Sequence, residues 1–157
     1  MPIDQRAYSL DRLVPPAPLP FVSRSKLRRV LDAVAPPTAC PYCNGCVEIV
    51  NNSEIYGKEY GDWPFAYMCF TCDAYVSIHN GTDVPMGSLA NATLRNWRKK
   101  AKHPFTALSK KVGRNAAYAT LADRMSIPKA ECHFGMFSKE QCEAAIYALA
   151  SLELFNK

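Results

Sequence analysis

Two pairs of cysteines, each with two residues between the thiols, constrain the fold of this 157-residue chain more than any other feature. One pair lies in "CPYCNGC", residues 40–46, and the other in "CFTC", residues 69–72. Two intervening residues let a tight turn aim both sulfurs at one ion, and two such turns complete a tetrahedron of thiolates. The spacing therefore predicts a closed site for one structural Zn²⁺. Its predicted ligands are Cys40, Cys43, Cys69 and Cys72.

The residues around the first pair favour the same interpretation. Pro41 presets the backbone, and Asn44-Gly45 is suited to the positive φ that a zinc-binding turn needs as the chain reverses. The 25 residues between the pairs exceed the usual span of about 15 to 20. Two strands joined by a long hairpin loop account for the additional residues.

Other chemistry for these thiols fits less well. A thioredoxin-like redox motif opens a helix in a βαβ unit, and neither pair does so. A catalytic zinc keeps an open position, whereas four thiolates close the shell. Cys46 is an alternative to Cys43 as a ligand, and otherwise is expected to be a small buried residue. Cys132 and Cys142 are expected to be core thiols, with a second metal site at Cys132-His133 as the alternative.

Composition places the chain among cytosolic globular proteins. Nearly half of its residues are apolar or aromatic, which is enough to form a core. There is no run of about 18 apolar residues, and the N-terminus lacks the apolar region of a secretory signal. We therefore expect a cytoplasmic protein without a membrane partner, in which reduced cysteine pairs bind metal rather than form disulfides.

The sequence divides into four segments. Residues 1–24 are rich in proline and predict a flexible arm without packing of its own. Residues 25–37 predict a short basic amphipathic helix over 25–34, capped by Ser25, and a linker. Residues 38–87 predict a small antiparallel zinc ribbon, because β-branched and aromatic runs alternate there with turn compositions. Residues 88–157 predict a helical subdomain packed on the ribbon.

Three helices are predicted in that subdomain, so the fold class is α+β. The first begins at Ser88, buries Trp97 and stops at Pro104. The second covers about residues 114–125. The third begins at "FSKEQC", where Ser138 and Gln141 form a capping box.

Several motifs together resemble one family. They are "CPYC", "SEIYGKEYGDW", "YMCFTCDAYVSIHNGTDVPMGSLANATLRNWRKKAKHPF" and "CHFGMFSKEQC". In this order they are similar to the zinc-finger-containing domain family of phages, prophages and bacteria, over about residues 38–146. The resemblance implies two zinc-binding cysteine pairs and a phage or bacterial cytosolic setting. The chain departs from the family pattern at Asn44 and Cys46, which leaves the four ligands in place.

A run of basic residues gives the main functional hypothesis. Eight basic residues and no acid fall within positions 95–114, although the net charge of the chain is only +5. Such a face neutralises phosphates, so we predict a non-catalytic accessory protein that binds DNA or RNA. The candidate residues are Arg95, Arg98, Lys99, Lys100, Lys102, Lys110, Lys111 and Arg114. Tyr56, Tyr60 and Trp63 are candidates for base stacking. The simpler alternative is a solvated helix face and a small aromatic core.

Two other functions stay open. A zinc ribbon with a proline-rich arm also suits a module that docks on a host protein. A ββα-metal nuclease would use His79, Asn80, Asp83 and His103, but such enzymes need a general-base histidine and metal ligands from a hairpin and the following helix. Here His103 is expected at the end of a helix, where it interacts with the dipole. We therefore expect that the chain is not an enzyme.

Overall fold

The computed structural model describes residues 3–155, and the chain forms two compact units that divide between Asn91 and Ala92. The first, which we call the ribbon unit, holds the three β-strands and both cysteine pairs. The second, the helical unit, holds the three long helices. The predicted α+β class is therefore confirmed. No helix in the described part of the chain is long and apolar enough to cross a membrane.

The sheet of the ribbon unit is antiparallel, in the order β1 (Val47–Asn51), β2 (Phe65–Cys69) and β3 (Tyr75–Ser77). Val47 lies opposite Cys69, and Tyr67 lies opposite Val76. Because side chains alternate along a strand, these four residues share one face, and all are buried there. A single turn of helix that the sequence did not predict, α2 (Ser53–Tyr56), follows β1 and ends at Gly57.

The N-terminal residues pack within the ribbon unit, in contrast to the flexible arm that the proline content predicts. Ala7, Leu27 and Val30 form a buried cluster with Val84. The Arg28 side chain donates to the carbonyl of Ala7 at 3.2 Å. Proline stiffens this segment, and the apolar residues between the prolines supply the packing that composition alone does not reveal.

An ion pair fixes the same segment. Arg6 donates to both carboxylate oxygens of Asp83, at 2.7 and 2.9 Å, and also bonds to Asp4. The Tyr67 hydroxyl donates to the backbone carbonyl of Asp83, and Asp83 is only 6% exposed. The hydrogen bonds of Arg6, of which that to Asp83 has the larger effect and that to Asp4 the smaller, raise the pKa of Arg6 above its ordinary value. A bidentate pair of this kind compensates the burial of the carboxylate.

The first helix is shorter than predicted. Only α1 (Arg24–Leu27) forms, and Ser23 rather than Ser25 caps it. The buried cluster takes up Leu27 and Val30, whereas Leu31 is exposed, so the predicted apolar stripe does not continue. Without that packing a helix of ten residues is not stable on its own.

The helical unit contains α3 (Ala92–Val112), α4 (Arg114–Met125) and α5 (Lys139–Phe155) around one core. The predicted start at Ser88 and stop at Pro104 are both wrong, because α3 begins at Ala92 and runs through the proline. Proline removes a backbone hydrogen bond at a cost of about 3 kcal/mol. Burial of Phe105, the residue after the proline, offsets this cost, since its ring packs at a tilt against the rings of Tyr118 and Phe134.

The start of α5 follows the prediction. The Ser138 N–H donates to the Gln141 side chain at 2.9 Å, and the Gln141 N–H donates to the Ser138 hydroxyl at 3.2 Å. Phe137 and Cys142 are fully buried in the same core. Trp97, which was expected to be buried, is half-buried at the edge of this core, with Lys100 and Lys139 over its ring.

Candidate metal centre

Two turns of the ribbon unit bring the four predicted thiols together. The sulfurs of Cys40 and Cys72 are 3.5 Å apart, those of Cys43 and Cys69 are 3.4 Å apart, and all four lie within 4.8 Å of one another. A tetrahedral site with Zn–S bonds of about 2.3 Å has sulfur–sulfur edges of about 3.8 Å. The cluster therefore has the size and the donor set of a closed zinc site.

The first turn has the backbone that the sequence predicted. Asn44 adopts a positive φ of 59°, its N–H donates to the Cys40 carbonyl at 2.8 Å, and the Cys40 N–H donates to the Gly45 carbonyl at 2.9 Å. The Tyr42 N–H also points at the Cys40 sulfur, at 3.4 Å. These bonds fix the turn and orient the ligand.

The second turn repeats this arrangement at the end of β2. The Thr71 N–H lies 3.4 Å from the sulfur of Cys69, and the Cys69 N–H donates to the Ala74 carbonyl at 2.9 Å. Cys69 is paired with Val47 across the sheet, so the strands hold the second turn next to the first. The sheet thus places the two turns, and each turn aims its own sulfurs.

The thiols influence one another strongly. Burial raises the pKa of Cys69. The N–H groups of Thr71 and Cys72 and the neighbouring thiols lower it by a larger amount, so that the pKa falls below its ordinary value to about 6. For Cys72 the Ala74 N–H favours the thiolate, yet burial and the other three sulfurs raise the pKa to about 12. One thiolate therefore forms easily and further ones are repelled. A dication removes this repulsion and displaces the protons, so zinc affinity rises with pH.

The remaining cysteines lie outside the cluster. Cys46 is exposed, with its sulfur 3.9 Å from the Glu48 carboxylate, so it is neither a ligand nor the buried residue that was expected. Cys132 and Cys142 are buried in the helical core, as predicted, and burial raises the pKa of both thiols. Among the described residues, the four-cysteine cluster is the only group with the geometry of a metal site.

A closed tetrahedron of thiolates on a small antiparallel sheet defines a zinc-ribbon protein, with one structural zinc. The chain belongs to the zinc-finger-containing domain family, whose model matches residues 36–151. No curated protein and no solved structure shows significant similarity to the chain.

Other predicted site residues have different surroundings. Trp63 is committed to the fold, because its indole N–H donates to the Thr82 carbonyl at 3.0 Å and its ring packs on Phe21. Tyr56 and Tyr60 are exposed and stack edge to face, 5.4 Å apart. His103 is exposed in the interior of α3, not at its end, which removes the proposed interaction with the helix terminus.

Gly45 is a residue whose structural role the sequence did not reveal. A Cβ at this position would lie 2.4 Å from the Thr71 hydroxyl and 3.1 Å from the Cys69 sulfur. The two cysteine turns therefore approach each other so closely that only glycine fits. Its place between Asn44 and Cys46 indicated a turn, but not this contact with the other turn.

Gly45→Ala is expected to weaken zinc binding at least tenfold, because the methyl group forces the two turns apart. Competition with a chromophoric chelator measures the affinity. Gly57→Ala is the matched control: it also alters a turn of the ribbon unit, at a positive φ of 79°, but its Cβ meets nothing within 4 Å. Equal zinc affinities of the two variants would contradict the close approach at Gly45.

Proposed function

We propose that the protein is a non-catalytic accessory protein that binds DNA or RNA through the basic surface of the helical unit. The observation that carries this proposal is the exposure of basic side chains along α3 and at the start of α4. No acidic residue falls between Asp83 and Asp123 in the sequence. The exposed residues are Lys99, Lys100, Lys102, Lys110, Lys111 and Arg114.

The geometry of α3 suits a phosphate backbone. At 100° per residue, Lys99, Lys102 and Lys110 lie within a sector of about 80° around the axis of α3, so they share one face of the helix. Lys99 and Lys110 are eleven positions apart, which is about 16 Å along the helix axis. That length spans several phosphates of one strand, which advance by about 3.4 Å along the duplex axis.

Some of the predicted contact residues have structural roles. Arg98 is half-buried, and its Nε donates to the Phe137 carbonyl at 3.0 Å, so it supports the start of α5. Arg95 is also half-buried. Arg114 lies over the Tyr118 ring at 5.5 Å but is exposed. The exposed lysines of α3 therefore carry the proposal, and Arg98 is a poor position for testing it.

A non-catalytic role agrees with the surroundings of the residues that a nuclease would need. Both carboxylate oxygens of Asp83 are bonded to Arg6, which leaves this carboxylate unsuited to hold a metal. The four-cysteine cluster offers closed coordination rather than an open position for a water or a substrate. The setting in a phage-infected or prophage-carrying bacterial cytosol rests on the family resemblance alone.

Salt dependence tests the proposal. If five basic residues contact phosphates of a duplex, log affinity falls against log salt with a slope of about −4.5. Affinity for a labelled 20-base-pair DNA or RNA duplex is then expected to drop several hundred-fold between 50 and 200 mM salt. Fluorescence anisotropy measures it. Failure to bind either duplex at 50 mM salt, or an affinity that salt hardly changes, would favour docking on a protein instead.

A further inference from the structure

Each cysteine turn carries an exposed aromatic side chain at its tip. Tyr42 precedes Cys43 and is 43% exposed, and Phe70 follows Cys69 and is 55% exposed. Both therefore lie next to a ligand of the same ion. Large aromatic rings that are exposed to solvent on a rigid backbone are typical anchors of a binding surface.

The backbone and side chains at these tips are well fixed. The Tyr42 hydroxyl donates to the Leu89 carbonyl at 3.4 Å, which orients the ring. The Phe70 N–H donates to the Cys46 carbonyl at 3.2 Å, from the other cysteine turn. An anchor that is ordered before binding loses less conformational entropy when a partner arrives.

The charge around these rings is negative, in contrast to that of the helical unit. Residues 38–91 contain one basic residue, Lys58, and six acidic residues, so their net charge is 1 − 6 = −5. The whole ribbon unit, which includes six basic and three acidic residues before position 38, has a net charge of 7 − 9 = −2. Asp83 is paired with Arg6, and the other five acids are exposed. A zinc ion with four thiolates adds a further charge of about −2. This surface repels phosphate and attracts cations.

Two of the exposed acids lie near the aromatic tips along the chain. Asp73 directly follows the ligand Cys72, and Glu48 lies within 3.9 Å of the Cys46 sulfur in the first turn. We call Tyr42, Phe70, Glu48 and Asp73 the knuckle surface. Aromatic faces attract ammonium and guanidinium groups, and the ribbon unit already shows this, since Lys58 Nζ lies 5.0 Å from the centre of the Tyr60 ring.

We infer that the knuckle surface docks a lysine- or arginine-rich segment of a partner protein. The rings of Tyr42 and Phe70 supply the apolar and cation–π contacts, and Glu48 and Asp73 pair with the basic side chains. This activity goes beyond nucleic-acid binding, which we assign to the helical unit. The protein would then connect a nucleic acid to a basic protein through two surfaces of opposite charge.

The test uses the full zinc-loaded chain and a fluorescein-labelled peptide of twelve residues in which arginine and lysine alternate with glycine. Wild type is expected to bind it in 50 mM salt. Y42A/F70A and E48K/D73K are each expected to lower the affinity at least tenfold while zinc content stays at one per chain. Anisotropy measures binding, and mass spectrometry of the native protein counts the zinc.

Matched controls lie in the helical unit. Y147A removes an aromatic ring that is 79% exposed, and E131K/E140K reverses two exposed acids. Both are expected to change the affinity for the peptide less than twofold. No peptide binding by wild type, or equal losses in knuckle and control variants, would overturn the inference. Loss of binding to a labelled dT oligonucleotide, with peptide binding unchanged, would assign the surface to single-stranded nucleic acid instead. None of these results bears on duplex binding by the helical unit.

Discussion

Cys69→Ser is expected to unfold the ribbon unit at 25 °C. In the wild-type protein, zinc binding by the four thiolates contributes an apparent free energy of roughly 10 to 16 kcal/mol, and in small zinc domains this binding energy is folding free energy. Whole domains are stable by only about 5 to 15 kcal/mol, and a three-stranded sheet with a small core has little stability beyond its metal. Zinc content by mass spectrometry and the dispersion of amide NMR signals measure the effect.

The control for this variant is Cys46→Ser, which changes an exposed thiol outside the cluster. It should retain one zinc and the melting temperature of wild type. The helical unit has a core of its own, including Phe105, Leu121 and Phe137, so the far-ultraviolet helix signal should persist in Cys69→Ser. Cys69→Ser with a full zinc complement, or Cys46→Ser without zinc, would mean that the ligand set is different.

The triple variant K99E/K102E/K110E is expected to lose affinity for duplex nucleic acid by roughly 10² to 10³-fold at 0.1 M salt. Each phosphate contact contributes a factor of about eight at this concentration, and three contacts together give about 500. The salt slope should also flatten by roughly three units. All three side chains are exposed on α3, so the helical core should stay intact, unlike in a variant that includes Arg98.

A control of equal charge separates local contacts from net charge. R12E/R29E/K129E also replaces three exposed basic residues and changes the net charge by the same 3 × −2 = −6. Because charges that make no phosphate contact act only through a field that is largely screened at 0.1 M salt, we expect a loss of less than tenfold. If both triple variants lose affinity equally, α3 does not contact the phosphates, and only the overall charge matters.

The sequence predicted those features that depend on short-range patterns. The four zinc ligands follow from two spacings within the chain, the left-handed Asn44 from turn chemistry, and the start of α5 from the capping box at Ser138. Each pair, turn and cap is set by residues within about five positions, whereas the meeting of the two pairs depends on the pairing of β1 with β2.

Features that depend on distant residues were missed or predicted wrongly. Pro104 is tolerated because Phe105 finds aromatic partners from α4 and from the segment before α5. The N-terminal segment is packed because Arg6 meets Asp83, 77 positions away. Gly45 is required because Thr71 of the other turn lies against it. In each case the deciding contact is made by tertiary structure, which overrides local propensity.

The ion pair of Arg6 with Asp83 has a consequence for the limits of the folding unit. The family model begins at residue 36, yet the counter-charge of the buried Asp83 carboxylate comes from residue 6. A fragment cut at the family boundary would keep the carboxylate and lose the guanidinium, together with the apolar side chains of Ala7, Leu27 and Val30 that cover Val84. An unpaired charge would then lie beside newly exposed apolar surface. The segment that the family model defines thus begins at residue 36, whereas the segment that folds as a stable unit also includes Arg6.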